Sequence, residues 1–112
     1  MTQKFVVPTS NGTLDPHFGH CSHFTIIEVT NNLIISESII DAPPHQPGIL
    51  PRFLAEKGAT DVIAGGMGQS AINIFNQHQV NVFVGAPKLK AKDLVEGFLN
   101  KTLSFTANYC DH

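Results

Sequence analysis

The sequence predicts an α/β domain whose five-stranded mixed sheet has the order 3-2-1-4-5, with helices on its faces. In the first half, two strand-like segments at residues 23–30 and 33–40 are joined by Asn31-Asn32. Both asparagines tolerate positive φ, which is typical of a two-residue hairpin. In the second half, short apolar runs alternate with helical patterns, as in βα crossovers. Right-handed crossovers then carry the fourth and fifth strands past the first, away from the hairpin.

Each element follows from a local pattern. The predicted strands are short apolar or β-branched runs bounded by turn residues, at 5–7, 23–30, 33–40, 61–64 and 80–84. The predicted helices have apolar residues at helical spacing, from residue 49 to a stop at Gly58, at 69–77 and at 90–100. Residues 9–19 contain Asn11-Gly12 and Asp15-Pro16, so a loop is expected there.

The composition bounds the class of protein. With 112 residues, 42% of them hydrophobic and 14% charged, the chain is expected to form a single domain over 1–112. Its core is placed at about residues 3–100, and the tail 101–112 has no clear pattern. The net charge of −2 gives no broad basic footprint for nucleic acid, and the lysines cluster only loosely, at Lys88, Lys90 and Lys92.

Targeting signals are not evident in the sequence. No apolar run approaches the ~20 residues of a membrane span. The first residues have no signal-peptide core, and two cysteines do not make a disulfide framework. We therefore expect a cytoplasmic, thiol-reduced protein without a membrane partner.

Residues 15–24 are the densest source of metal-capable side chains. This segment contains His17, His20, Cys21 and His23. Imidazole nitrogen and thiolate sulfur suit iron, copper and zinc. Between a proline and a Phe-Gly pair, His17 is the first candidate ligand and Cys21 the second, although Cys21 could equally be a small buried hydrophobe. For His20 a solvated surface position is an equally good interpretation, and for His23 it is the favoured one.

Residues 64–70, Ala-Gly-Gly-Met-Gly-Gln-Ser, join a predicted strand to a predicted helix. Glycine permits positive φ and lets a ligand approach the backbone, and a helix N-terminus favours an anion. The segment lacks the Gly-Lys-Ser/Thr of a phosphate loop and the Gly-x-Gly-x-x-Gly of a dinucleotide site. It therefore predicts an anion cradle, with a simple tight turn as the alternative. In the predicted strand order, this turn and the loop at 9–19 meet in one crevice.

The last residues, Cys110-Asp111-His112, also combine metal-capable groups. Terminal residues are usually disordered unless they are tied down, so a surface tail is the favoured interpretation.

Several of these segments together resemble the dinitrogenase iron-molybdenum cofactor-binding family, small proteins that carry or insert metal–sulfur clusters during nitrogenase cofactor assembly. The resemblance extends to about Leu99. It rests on the strand at 5–8, on His17-Phe18-Gly19 followed by Phe24 and Ile26, on the turn at 63–68 and on the strand end at 82–85. It implies a ribonuclease H-like fold, His17 as a cluster ligand, and a cluster-assembly or acceptor protein as partner. It does not extend to His20, His23, Cys110 or His112.

We therefore expect a non-enzymatic carrier of an anionic metal–sulfur cluster, an iron-molybdenum cofactor or an iron–sulfur cluster. The expected cofactor-binding residues are His17, Phe18, Gly19, Gly65, Gly66, Met67, Gly68 and Gln69. The expected metal ligands are His17 and Cys21, with His20 and His23 as less certain ones. One alternative is a binding or sensor module for a metal or small anion. A ribonuclease H-like nuclease is less favoured, because that chemistry needs clustered carboxylates, whereas here they are scattered at Asp15, Glu28, Asp41, Asp61 and Asp93.

Overall fold

The computed structural model describes residues 2–15, 18, 21, 23–43 and 49–108. Within these residues the chain forms seven strands and three helices. In chain order they are β1 (Thr2–Ser10), β2 (Thr13–Leu14), β3 (His23–Thr30), β4 (Leu33–Asp41), α1 (Ile49–Glu56), β5 (Asp61–Ile63), α2 (Gln69–Gln77), β6 (Asn81–Val84), α3 (Ala91–Leu99) and β7 (Thr106–Asn108).

The sheet is mixed, and its order is β4-β3-β1-β5-β6-β7, with β2 paired to β1 off this path. The central strand β1 runs antiparallel to β3 and parallel to β5. The five predicted strands therefore stand in the predicted order, and helices flank them as expected. The hairpin is also confirmed, because Asn31 and Asn32 have φ angles of 54° and 63°.

The predicted number of five strands was wrong, because β2 and β7 add to the sheet. In the segment predicted to be a loop, Asn11 and Gly12 take φ angles of 55° and 84°. This turn lets Thr13 and Leu14 pair back onto β1. At the C-terminal end of the described residues, β7 pairs antiparallel with β6. β7 lies within the tail at 101–112, which has no clear pattern in the sequence. Strands of two and three residues are too short to show a hydrophobic period.

Side chains alternate along β1 and so divide the core into two parts. Val6 faces the cluster that packs against α1 and α2, together with Leu54 and Phe75. Phe5 and Val7 face the cluster that packs against α3, together with Leu94. β1 is longer than its apolar run, because its pairing with β3 continues from Thr2 to Thr9.

The predicted helices agree with the structure to within a residue or two at their ends. α2 has the predicted bounds, and Gly58, at φ 90°, follows α1 as its stop. None of the helices in the described part of the chain is long and apolar enough to cross a membrane.

Candidate functional site

The carboxyl ends of β1, β5 and β6 lie at one edge of the sheet, because these three strands are parallel. Two hydrogen bonds join the segments that follow them. The Leu14 amide donates to the Leu89 carbonyl at 2.9 Å, and the Gly85 amide donates to the Gly65 carbonyl at 3.0 Å. The β1–β2 hairpin, the glycine turn at 64–68 and the loop at 85–90 therefore share this edge, which we call the carboxyl edge.

Phe18 ties the histidine-rich segment to α2. Its side chain is buried, and its ring centroid lies 5.6 Å from that of Phe75 in an edge-on arrangement. The Phe24 ring at the start of β3 lies 5.8 Å away. Met67, from the glycine turn, packs against the same cluster. Phe18 and Met67 come from the two segments that were expected to meet, and both pack in this cluster of side chains.

The neighbours of Phe18 in the motif, His17 and Gly19, lie outside the described residues, as does His20. The C-terminal Cys110-Asp111-His112 lies outside them too. Their roles stay predictions from the sequence.

The Cys21 side chain is buried in the same cluster as Phe18. Its thiol donates to the Phe18 carbonyl over 3.5 Å. Burial raises the pKa of the thiol to about 11, and the nearby Asp15 carboxylate adds to the rise. At neutral pH the thiol is protonated, so a metal ion binding there would have to displace a proton. This environment fits the alternative interpretation of the sequence, in which Cys21 is a small buried hydrophobic residue. A ligand role for Cys21 stays a prediction.

His23 is placed on the other side of the sheet. As the first residue of β3 it alternates with Phe24, whose ring faces the α1–α2 cluster with Phe18 and Cys21. Its Nε2 lies 3.3 Å from an Asp41 carboxylate oxygen. Within the described residues, no three His, Cys, Asp or Glu side chains gather closely enough to hold a metal ion.

The glycines of the turn leave open space at the carboxyl edge. Neither Gly66 nor Gly68 has positive φ, so the backbone conformation does not demand glycine at these two positions. A Cβ placed on either would meet no other atom within 4 Å in the part of the chain that is described. What glycine provides there is access to the peptide backbone from outside.

The N-terminus of α2 follows this turn without a side-chain cap. Gly68 is the N-cap residue, with φ −66° and ψ 151°, and has no side chain to accept the first amides. Gln69 and Ser70 are exposed, and the Gln69 side chain donates instead to Asn73 at 2.9 Å. The first-turn amides and the helix dipole are therefore available to an anion.

Two lysines of the loose cluster in the sequence lie at the carboxyl edge. Lys88 and Lys90 are exposed on the loop after β6. The backbone of Lys90 forms an isolated antiparallel β-bridge with Thr13 of β2. Neither forms an ion pair with another described residue. Their position depends on the β2 pairing, which the sequence did not reveal. The sequence signal that could have identified these lysines is their spacing of two residues shortly after a predicted strand.

Fold and edge together define a small α/β domain whose carboxyl edge carries an exposed glycine turn and an uncapped helix N-terminus, and comparison with known proteins gives its family. The chain belongs to the dinitrogenase iron-molybdenum cofactor family, whose model matches residues 1–101. This confirms the resemblance seen in the sequence.

The chain is also similar to individual proteins. The chain is 32% identical over 85 residues to the uncharacterized protein MJ0580 of Methanocaldococcus jannaschii, which covers 71% of this chain and 72% of that protein. The crystal structure of PH0822 has a TM-score of 0.82 at 22% identity and covers 96% of both chains. The apo form of the orange protein from Desulfovibrio gigas has a TM-score of 0.78 at 21% identity, over 95% of this chain and 96% of that one. At these identities the two structures establish a shared fold.

Proposed function

We propose that this protein is a non-enzymatic carrier of an anionic metal–sulfur cluster, an iron-molybdenum cofactor or an iron–sulfur cluster, in metallocofactor assembly. The observation that carries the proposal is the packing of Phe18 on Phe75. Phe18 directly follows His17 in the sequence, and Phe75 belongs to the helix that begins at the glycine turn. The residue that follows the candidate cluster ligand in the sequence therefore packs on the helix that begins at the proposed anion cradle.

The residues of the carboxyl edge fit an anionic cluster. Amides at the start of α2 can donate to its sulfides or to an organic acid attached to it, and Gly66 and Gly68 leave room for its approach. Lys88 and Lys90 add positive charge to the same edge. His17 would supply one coordinate bond, and Cys21 a second one at the cost of a proton. A metal held by few strong ligands can be released, whereas a closed four-ligand site retains its metal as structure.

The carboxylates of the chain support a binding role over hydrolysis. Asp61 is buried, where it accepts hydrogen bonds from Thr60 at 2.7 Å and Asn81 at 3.2 Å. Glu28 lies 3.6 Å from Lys4 on the sheet. A two-metal nuclease needs carboxylates clustered around its ions, and these two are engaged separately. The proposal also includes a ribonuclease H-like fold, a cytoplasmic location and a cluster-assembly or acceptor protein as partner.

Metal and sulfide analysis of protein purified anaerobically tests this function. The proposal expects iron with acid-labile sulfide, or iron with molybdenum, and much less of either in His17→Ala. His78→Ala is the matched control, since His78 is exposed at the opposite end of α2. Stoichiometric zinc, or metal content that is the same in both variants, would contradict the carrier and favour a metal-binding or sensor module.

A further inference from the structure

The edge strand β4 offers unpaired peptide groups along its outer side. β4 is nine residues long, and β3 pairs with it on one side only. It stands at the end of the strand order, so no described strand occupies its other side. An antiparallel ladder directs the backbone groups of alternate residues away from the partner strand. Such a row of free donors and acceptors is a template for one more strand.

Exposed apolar side chains are concentrated on the same strand. Leu33, Ile35 and Ile39 are 68%, 56% and 63% exposed. Leu89, at 37%, is the only other large hydrophobic side chain exposed in the described residues. Leu33 is opposite Thr30 and Ile39 is opposite Thr25, so these two side chains lie on opposite faces of the sheet, and an added strand could cover an apolar side chain on each face.

The acidic side chains of β4 favour some binding partners over others. The strand carries Glu37 and Asp41, and it has no lysine or arginine. Pairing with β4 of a second copy would bring four carboxylates onto one strand pair, and like charges across strands are destabilising. A segment with basic side chains would complement the same positions.

We propose that the outer edge of β4 binds an extended segment of another protein, with alternating apolar and basic side chains, as an additional strand. Main-chain hydrogen bonds would supply affinity, while Glu37 on one face of β4 would select the basic side chains and Leu33 on the other face would select the apolar ones. This surface needs no bound cluster, so the inference is independent of the proposed function. β4 ends at Asp41, beside His23, and His23 is opposite Thr9 near the carboxyl edge. A bound segment would therefore run towards the proposed cluster site.

A synthetic peptide of alternating valine and lysine is a suitable probe. Amide NMR should show its shifts confined to β4 and the adjoining β3. Two control peptides separate the contributions, one with N-methyl groups on alternate amides and one with glutamate in place of lysine. Each change should raise the dissociation constant about tenfold or more, since the first removes backbone donors and the second reverses the charge.

Variants of the protein complete the test. Glu37→Lys, on the face of the lysines, and Leu33→Thr, on the face of the valines, should each weaken binding of the valine–lysine peptide. Glu56→Lys is the control, because it changes the net charge equally at an exposed position on α1. Equal affinity for the N-methylated peptide, shifts centred away from β4, or equal loss in Glu56→Lys would overturn the proposal. Self-association that Glu37→Lys alters would also overturn it, in favour of a second copy.

Discussion

Phe18 and Phe75 meet edge-on, with ring centroids 5.6 Å apart and an interplanar angle of 73°. One ring belongs to the histidine-rich segment and the other to α2, so this contact ties the candidate ligand segment to the helix behind the glycine turn. Offset and edge-on aromatic pairs contribute about 0.5–1.5 kcal/mol beyond the area they bury. Loss of the contact should therefore affect both stability and the site.

Replacing Phe18 with alanine should lower the free energy of unfolding by about 3–5 kcal/mol, the usual cost of truncating a buried phenylalanine. Urea denaturation measures this change. Phe18→Leu keeps most of the volume and should cost less than about 1.5 kcal/mol. A loss below about 1 kcal/mol in Phe18→Ala would mean that the segment is not anchored through this ring.

Gly66→Ala should separate stability from binding. Its new Cβ meets open space, so the free energy of unfolding should change by no more than about 0.5 kcal/mol. Affinity for an isolated cluster, measured by anaerobic optical titration, should fall because the methyl group occupies the approach to the backbone.

Gly97→Ala is the contrasting variant, because its Cβ would collide with the Leu103 side chain. It should lower the free energy of unfolding by about 1–3 kcal/mol. If Gly66→Ala bound the cluster as well as the unaltered protein, the turn would not be the cradle.

The stability of the protein should fall at alkaline pH through Cys21. Its pKa is raised from 9.0 to about 11, so between these values the unfolded chain loses the thiol proton while the folded protein keeps it. The contribution is therefore fully present below pH 9.0 and is lost as the pH rises to about 11.

Urea unfolding across this range, compared between Cys21→Val and the unaltered chain, isolates the effect from other titrating groups. Both proteins should carry Cys110→Ser, so that the second thiol does not contribute. Identical pH profiles for the pair would show that Cys21 is not shielded from solvent.

Charge reversal at Lys88 and Lys90 should weaken binding of an anionic cluster. We expect the double change to glutamate to raise the dissociation constant about tenfold and to reduce its dependence on salt concentration. Lys101→Glu is the control, since Lys101 follows the C-terminal end of α3, away from the carboxyl edge. If Lys101→Glu weakened binding equally, the effect of Lys88 and Lys90 would come from the net charge of the protein and not from their position at the carboxyl edge.

The parts of the fold that the sequence predicted are those with strong local signals. Asn31-Asn32 defines the hairpin because few other residue pairs accept two positive φ angles. The strands β2 and β7 had no such signal, and β2 depends on a turn at Asn11 and on contact with Leu89. The position of Lys90 follows from the contact between β2 and Leu89, so the sequence did not predict it either.

The candidate site was predictable to a similar degree. The glycine turn and Phe18 could be recognised from the motifs, since each stands beside a strand or helix with a clear period. Cys21 could not be assigned, because a cysteine suits both a metal site and an apolar core. Only its burial beside Phe18 and Asp15 distinguishes the two environments.

Anaerobic titration with isolated iron-molybdenum cofactor, followed by EPR, tests directly whether this protein binds such a cluster through His17. We expect saturable binding that alters the cofactor signal, is lost or strongly weakened in His17→Ala, and is retained in His78→Ala. Binding of the cofactor by His17→Ala with the affinity and EPR signal of the unaltered protein would contradict this expectation.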